Sequence, residues 1–188
     1  MRYLQKLNEC FESIEASDKR GKGFRLEDAI TRVVALVMAV AKRGDKTMII
    51  GNGGSSSIAS HIAIDLLKNA KVPALVFNDP SSLTCLANDL GYEAVFEKPV
   101  EMLSRKGDLL IAISSSGRSA NILNAVKMAQ RKQVGIVTLS GFSRANPLRK
   151  MGSLNFYVPS SSYGFVELTH SAICHWVIDS VMSKRLHG

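Results

Sequence analysis

From residue 46 onward, short apolar runs alternate with longer amphipathic stretches, and few architectures accept such a chain. The runs are Met48–Ile50, Ala74–Phe77, Leu109–Ile113, Gly135–Leu139 and Leu154–Val158. Segments with helical spacing lie between them, near 55–69, 93–105, 118–131 and 144–151, with a last one near 165–184. A strand that is apolar at every position is covered on both faces, whereas a sheet open to water on one side alternates polar and apolar residues. Strands that alternate with helices build βαβ units. The pattern predicts an α/β fold with a parallel sheet of about five strands between two layers of helices.

The segment before residue 46 reads differently. Tyr3, Leu4, Leu7, Cys10, Phe11 and Ile14 recur at helical spacing, and a polar break follows from Ala16 to Gly23. Leu26, Ile30, Val33, Val34, Leu36, Val37 and Val40 then mark a second amphipathic helix that ends before Gly44. We divide the chain into a helical arm, residues 1–25, and a main domain, residues 26–188. A length of 188 residues suits one such domain.

The charge balance is +8, from 24 basic and 16 acidic residues. That suits an anionic partner. The basic residues are scattered in pairs such as Lys42-Arg43, Arg105-Lys106 and Arg131-Lys132, at expected helix ends, where the helix dipole favours cations. One Trp and four Tyr leave little for base stacking, so a nucleic-acid surface is not expected. Charges run through residues 1–19, unlike a signal peptide, and no apolar run approaches the ~18 residues of a membrane span. Cys10, Cys85 and Cys174 are odd in number and widely spaced, which argues for a reduced cytoplasmic setting without disulfides.

Two strand-to-helix junctions carry the chemistry. In the first, Thr47-Met48-Ile49-Ile50 runs into Gly51-Asn52-Gly53-Gly54 and then Ser55-Ser56-Ser57. A tight turn into a helix N-terminus offers free backbone N–H groups and a positive dipole end to an anion. In the second, Leu110-Ile111-Ala112-Ile113 runs into Ser114-Ser115-Ser116-Gly117-Arg118-Ser119, followed by a helix with Asn121. Serines also cap helices and make turns. One cap needs one hydroxyl, however, and four in six residues exceed that need. Phosphate binding is the stronger reading. Neither a P-loop lysine nor the G-x-G-x-x-G spacing is present, so no nucleotide cofactor is expected.

His61 and Asp65, four apart on the helix after the first junction, share one face. An ordinary surface ion pair has the same spacing. Near the C-terminus lie Glu167, His170 and His175; Glu167 and His175 are eight apart, within about 80° on a helix wheel. His170 reads as a structural residue.

Gly51–Ser55, then Ala87-Asn88-Asp89-Leu90-Gly91-Tyr92, then Ile113–Ile122 resemble the sugar isomerase (SIS) domain family, in its phosphoheptose isomerase branch. The resemblance covers roughly residues 26–186. It implies a three-layer αβα domain of the Rossmann-like flavodoxin type, with an N-terminal helical arm. The implied activity is the aldose–ketose interconversion of sedoheptulose 7-phosphate and glycero-manno-heptose 7-phosphate, in the biosynthesis of heptose for lipopolysaccharide or capsule. Substrate contacts are implied at Asn52, Gly53, Ser55, Asn88, Asp89, Ser114, Ser115, Ser116, Ser119 and Glu167.

The resemblance also makes Asp65 the catalytic base and His175 its acid/base partner. It implies a zinc site at His61, Asp65, Glu167 and His175, and a homotetramer with shared active sites. Three positions depart from the family: Asp65 stands for a Glu, Glu167 for a Gln, and Tyr163–Val166 lacks the usual polar Asp and Arg. Two classes of function stay open: a phosphosugar isomerase, and a non-catalytic SIS protein that binds a phosphosugar or a protein partner such as a replication initiator. The acid at Asp65 and the imidazole at His175 favour catalysis.

Overall fold

The computed structural model describes residues 2–186. Helix α1 (Arg2–Glu12) leads into short strands β1 (Glu15–Ser17) and β2 (Gly23–Phe24), then α2 (Leu26–Arg43). The alternating part comes next: β3 (Thr47–Gly51), α3 (Gly54–Lys68), β4 (Ala74–Val76), α4 (Pro80–Leu90), α5 (Glu97–Leu103), β5 (Leu109–Ser114), α6 (Ala120–Arg131), β6 (Gly135–Ser140), β7 (Leu154–Tyr157) and α7 (Tyr163–Leu186). Single 3₁₀ turns lie at Tyr92–Ala94 and Pro147–Lys150. Among the described residues no helix is long and apolar enough to cross a membrane.

One sheet of seven strands has the order β2-β1-β7-β6-β5-β3-β4. All five expected strands are present and parallel, from β4 across to β7. Numbered by their order in the chain, these five run 2-1-3-4-5 across the sheet, so the order reverses between β3 and β5. In open α/β sheets, ligands bind outside the carboxyl ends of the strands at such a switch point. Both serine-rich junctions leave from there.

Alternate residues of each central strand enter opposite cores, as a pleated strand requires. Ile49, Ile111 and Leu139 pack with Val33, Val37, Ile62, Leu66 and Val177 of α2, α3 and α7. Met48, Ile50 and Leu110 pack with Val95, Val100, Ile122 and Val126 on the other face. At the opposite end of the sheet Asp108 is buried. Its carboxylate accepts from Lys46 Nζ at 2.6 Å and from the backbone N–H of Lys46 and Arg105 at 3.0 and 2.8 Å.

The structure corrects the sequence reading in three places. The polar break at 16–23 holds an antiparallel hairpin, β1–β2, which pairs with β7 and brings the strand count to seven. Asp18 builds its turn by accepting from the N–H groups of Arg20 and Lys22, with Gly21 at φ +81°. The hairpin covers an otherwise open sheet edge. The stretch 144–151 is one 3₁₀ turn rather than a helix, entered at Pro147. The stretch 93–105 yields only α5 after a 3₁₀ turn, and α4 before it has no counterpart in the expected pattern. Helix α4 buries no residue fully, though Leu83, Leu86 and Ala87 pack against the core at helical spacing; Asp79, which caps Ser82 N–H, and Pro80 in the first turn mark its start.

Candidate active site

Strand β5 delivers Ser114 and the turn to Ser119 beside the loop that leaves β3. Asn52, Ser55, Ser114, Ser115, Ser116, Ser119, Tyr163 and Glu167 line one cavity of about 120 Å³. That is the volume of about four waters, enough for a phosphate-sized group. The N-termini of α3 and α6 both open onto it, through Ser55 and Ser119, and each turns a positive dipole end toward it.

The serine hydroxyls divide into two kinds. Ser114 Oγ accepts from Gly117 N–H and Ser116 Oγ from Arg118 N–H, both at 3.2 Å, and these bonds shape the turn. Ser119 occupies the N-cap position of α6, yet its side chain makes no capping bond. Ser115 is buried, and its Oγ has no hydrogen-bond partner. An unpaired buried hydroxyl costs roughly 1–3 kcal/mol. Turn formation therefore accounts for Ser114 and Ser116, and neither it nor capping accounts for Ser115 and Ser119.

The two loops are tied together across the switch point. Asn52 Nδ2 donates to Asn121 Oδ1 at 3.0 Å, and Asn121 Nδ2 donates back to Asn52 Oδ1 at 2.9 Å. Tyr92 Oη also donates to Asn52 Oδ1, at 3.1 Å. Asn88 and Asp89, expected at the substrate, lie exposed at the end of α4, bond to each other at 2.8 Å and do not line the cavity. It is Tyr92 of the same motif that reaches Asn52. Gly53 forms the turn at φ +53°.

Glu167 enters from the start of the second turn of α7. Its carboxylate lies against Gly54, the first residue of α3: a Cβ built on Gly54 would stand 2.5 Å from Glu167 Cδ. Glycine there lets the carboxylate approach the positive end of α3.

The acid/base residues meet farther along the same two helices. Asp65 Oδ2 is 3.2 Å from His61 Nε2 and 4.0 Å from His175 Nδ1. The two imidazole rings stand edge to face at 5.1 Å. Asn69 Nδ2 holds the other carboxylate oxygen of Asp65 at 3.0 Å. One ligand atom from each of His61, Asp65 and His175 falls within 4.8 Å of the others, a grouping that could hold a metal ion. Glu167 stands outside this group and in the serine cavity instead. The zinc set expected from the sequence thus contracts to three residues.

His170 is fully buried with Nε2 3.2 Å from the Ser140 carbonyl, and burial lowers its pKa to about 4. It is a neutral core residue. Burial likewise pushes the Cys174 thiol up to about 12. Sequence reasoning gives no role to Tyr163, Tyr92 or Asn121, although Tyr92 and Asn121 both lie in the motifs that carry the resemblance.

The SIS domain pattern matches residues 2–141 of the chain. A phosphoheptose isomerase of Cytophaga hutchinsonii is 37% identical over 158 residues, which cover 81% of this chain and 82% of that protein. The solved phosphoheptose isomerase of Neisseria gonorrhoeae superposes with a TM-score of 0.84 at 26% identity, covering 96% of each chain. That of Francisella tularensis gives 0.83 at 26% identity, covering 97% of this chain and 95% of its own. A serine-lined cavity at the switch point, a cluster of two imidazoles and a carboxylate farther along α3 and these likenesses agree: the chain belongs to the SIS domain family, in its phosphoheptose isomerase branch.

Proposed function

We propose that this protein is a sugar-phosphate isomerase that interconverts sedoheptulose 7-phosphate and glycero-manno-heptose 7-phosphate. One observation carries the reading: α3 begins at the anion cavity and bears the imidazole–carboxylate pair on its next turns. Ser55 and His61 are six residues apart, about 9 Å along a helix. An open-chain seven-carbon sugar phosphate is roughly 10 Å long from C–C bonds of about 1.5 Å. Its length matches the span from the serines to His61, the near end of the cluster.

The phosphate accepts hydrogen bonds from Ser115 Oγ, Ser119 Oγ and the N–H groups that open α3 and α6. Asp65 then takes the proton from C1 of the ketose, next to the carbonyl. This gives an enediolate, with its charge on the C2 oxygen, and His175 moves a proton from the C1 oxygen to the C2 oxygen. Asp65 returns its proton to C2, which leaves the aldose. Such acid/base pairs typically contribute about 10²–10⁴ in rate. His61 at 3.2 Å and Asn69 at 3.0 Å fix the two oxygens of Asp65 in place.

Two imidazoles and a carboxylate also suit zinc. His61, Asp65 and His175 would hold it, and when bound it would polarise the substrate oxygen. We further propose a cytoplasmic enzyme, which its three free cysteines support. It would assemble as a homotetramer with active sites shared between subunits. Exposed Ile64 and Leu67 on α3 and exposed Leu168 and Trp176 on α7 flank the cluster and support an apolar interface there. The product would feed a heptose-containing glycan such as lipopolysaccharide or capsule. The test is incubation with sedoheptulose 7-phosphate, with zinc and after chelation, and then detection of the aldose. Tight phosphosugar binding without turnover in either condition would replace this reading with a non-catalytic phosphosugar-binding protein.

A further inference from the structure

The cavity has one wall that the proposed mechanism does not use. Tyr163, the first residue of α7, lines it beside Ser115, Ser119 and Glu167, yet 63% of the residue is exposed. Its ring stands edge to face against Phe142, with centroids 4.8 Å apart and planes at 80°.

Phe142 is held there against its own backbone preference. Its φ is +54°, a conformation that a bulky side chain rarely adopts. Two bonds clamp it: its N–H donates to the Ser160 carbonyl, and its carbonyl accepts from Tyr157 Oη, both at 2.9 Å. The preceding N–H, of Gly141, donates to the carbonyl of Ser115 at 2.9 Å. The segment that carries Phe142 is thus bonded to the residue whose hydroxyl is unpartnered. Strain of this kind persists only where surrounding structure enforces it, and it collects at ligand sites.

Resting on the phosphosugar reading above, we propose that Tyr163, braced by Phe142, is a specificity-determining residue. Its ring forms an aromatic wall against the carbons next to the phosphate ester and selects a polyhydroxy chain over the bare anion. The aliphatic C–H face of a sugar packs on an aromatic ring, while its hydroxyls remain free for water or polar partners. The serines and helix N-termini recognise the phosphate whatever it is attached to. Tyr163 is placed to read the carbon chain that the phosphate carries.

The test compares two probes, sedoheptulose 7-phosphate and inorganic phosphate, by titration calorimetry of the full chain. For Tyr163→Ala, the sugar phosphate should bind about tenfold more weakly and inorganic phosphate within twofold of wild type. Tyr163→Phe should keep both affinities within twofold, because the ring and not the hydroxyl makes the contact. Phe142→Gly, which accepts the positive φ and removes the brace, should weaken the sugar phosphate by a smaller factor in the same direction. Equal affinities of wild type and Tyr163→Ala for the sugar phosphate would overturn the proposal, as would an equal loss for both probes. A wild-type protein that binds the sugar phosphate no better than inorganic phosphate would overturn the phosphosugar reading as well, which separates the two failures.

Discussion

Replacing Gly117 with alanine adds one methyl group to the turn between β5 and α6. Gly117 has φ +59°, and a Cβ there would overlap Asn146 Oδ1 and stand 2.5 Å from its Cγ. Asn146 cannot simply withdraw. It is 2% exposed, its Nδ2 donates to the carbonyls of Ser143 at 2.8 Å and Gly141 at 3.1 Å, and its Oδ1 accepts from Arg149 N–H at 3.0 Å. The left-handed backbone costs an alanine about 1–2 kcal/mol. Two disrupted hydrogen bonds add about 1 kcal/mol each. Gly117→Ala should therefore lose about 3–4 kcal/mol.

Gly44→Ala is the matched control. Gly44 has φ +69° with nothing within 4 Å of a Cβ, so it carries the backbone cost alone. Urea unfolding at one fixed protein concentration measures both. With a slope of about 2–3 kcal/mol/M, the midpoint falls by about 1–2 M for Gly117→Ala and by about 0.5 M for Gly44→Ala. Equal losses in the two variants would refute the contact argument, since backbone strain would then explain everything.

Two further predictions concern charge. Glu167→Gln removes a carboxylate from the anion cavity; a unit charge about 5–6 Å away in a half-wet site is worth about 1 kcal/mol, so inorganic phosphate should bind about fivefold more tightly. Weaker binding in the variant, by calorimetry, would mean that Glu167 assists the anion. His170 has a folded pKa of about 4 against an ordinary 6.5, because burial disfavours its charged form. The unfolded chain therefore binds more protons in that range, and the stability is present above pH 6.5 and lost as pH falls toward 4, by about 3 kcal/mol in all. Unfolding free energies measured from pH 7 to 4.5 should show this decline in wild type and a smaller one in His170→Gln; identical profiles would exclude the buried imidazole as its cause.

How much of the molecule is legible in its sequence depends on how each feature is encoded. Four of the five parallel strands, β3, β5, β6 and β7, are buried on both faces and read as continuous apolar runs, while edge strand β4 is apolar though only half-buried. Hairpin β1–β2 is held by backbone pairing to β7 and one Asp18 turn, and a polar segment of that kind leaves no periodic trace. Helix α4 carries a short apolar stripe at helical spacing, Leu83, Leu86, Ala87 and Leu90, and is legible in the sequence. Ser114–Ser119 and the His61–Asp65 spacing are local patterns, visible in one turn of chain. The position of Glu167 is not local. Eight residues place it about 12 Å along α7 from His175, at the serine cavity rather than with the imidazoles. Tyr163 stands in a turn whose sequence signal is the polar residues it lacks, and its partnership with Phe142 joins two segments with no sequence relation.

The most direct test of the central claim is turnover of sedoheptulose 7-phosphate in deuterated water by wild type and Asp65→Asn, read by proton NMR. Wild type should form the aldose with deuterium at C2, as a solvent-exchanging carboxylate base requires. Asp65→Asn should lose about 10²–10⁴ in rate yet bind inorganic phosphate within twofold, because Asp65 does not line the serine cavity. Aldose formation by Asp65→Asn at the wild-type rate would contradict the account.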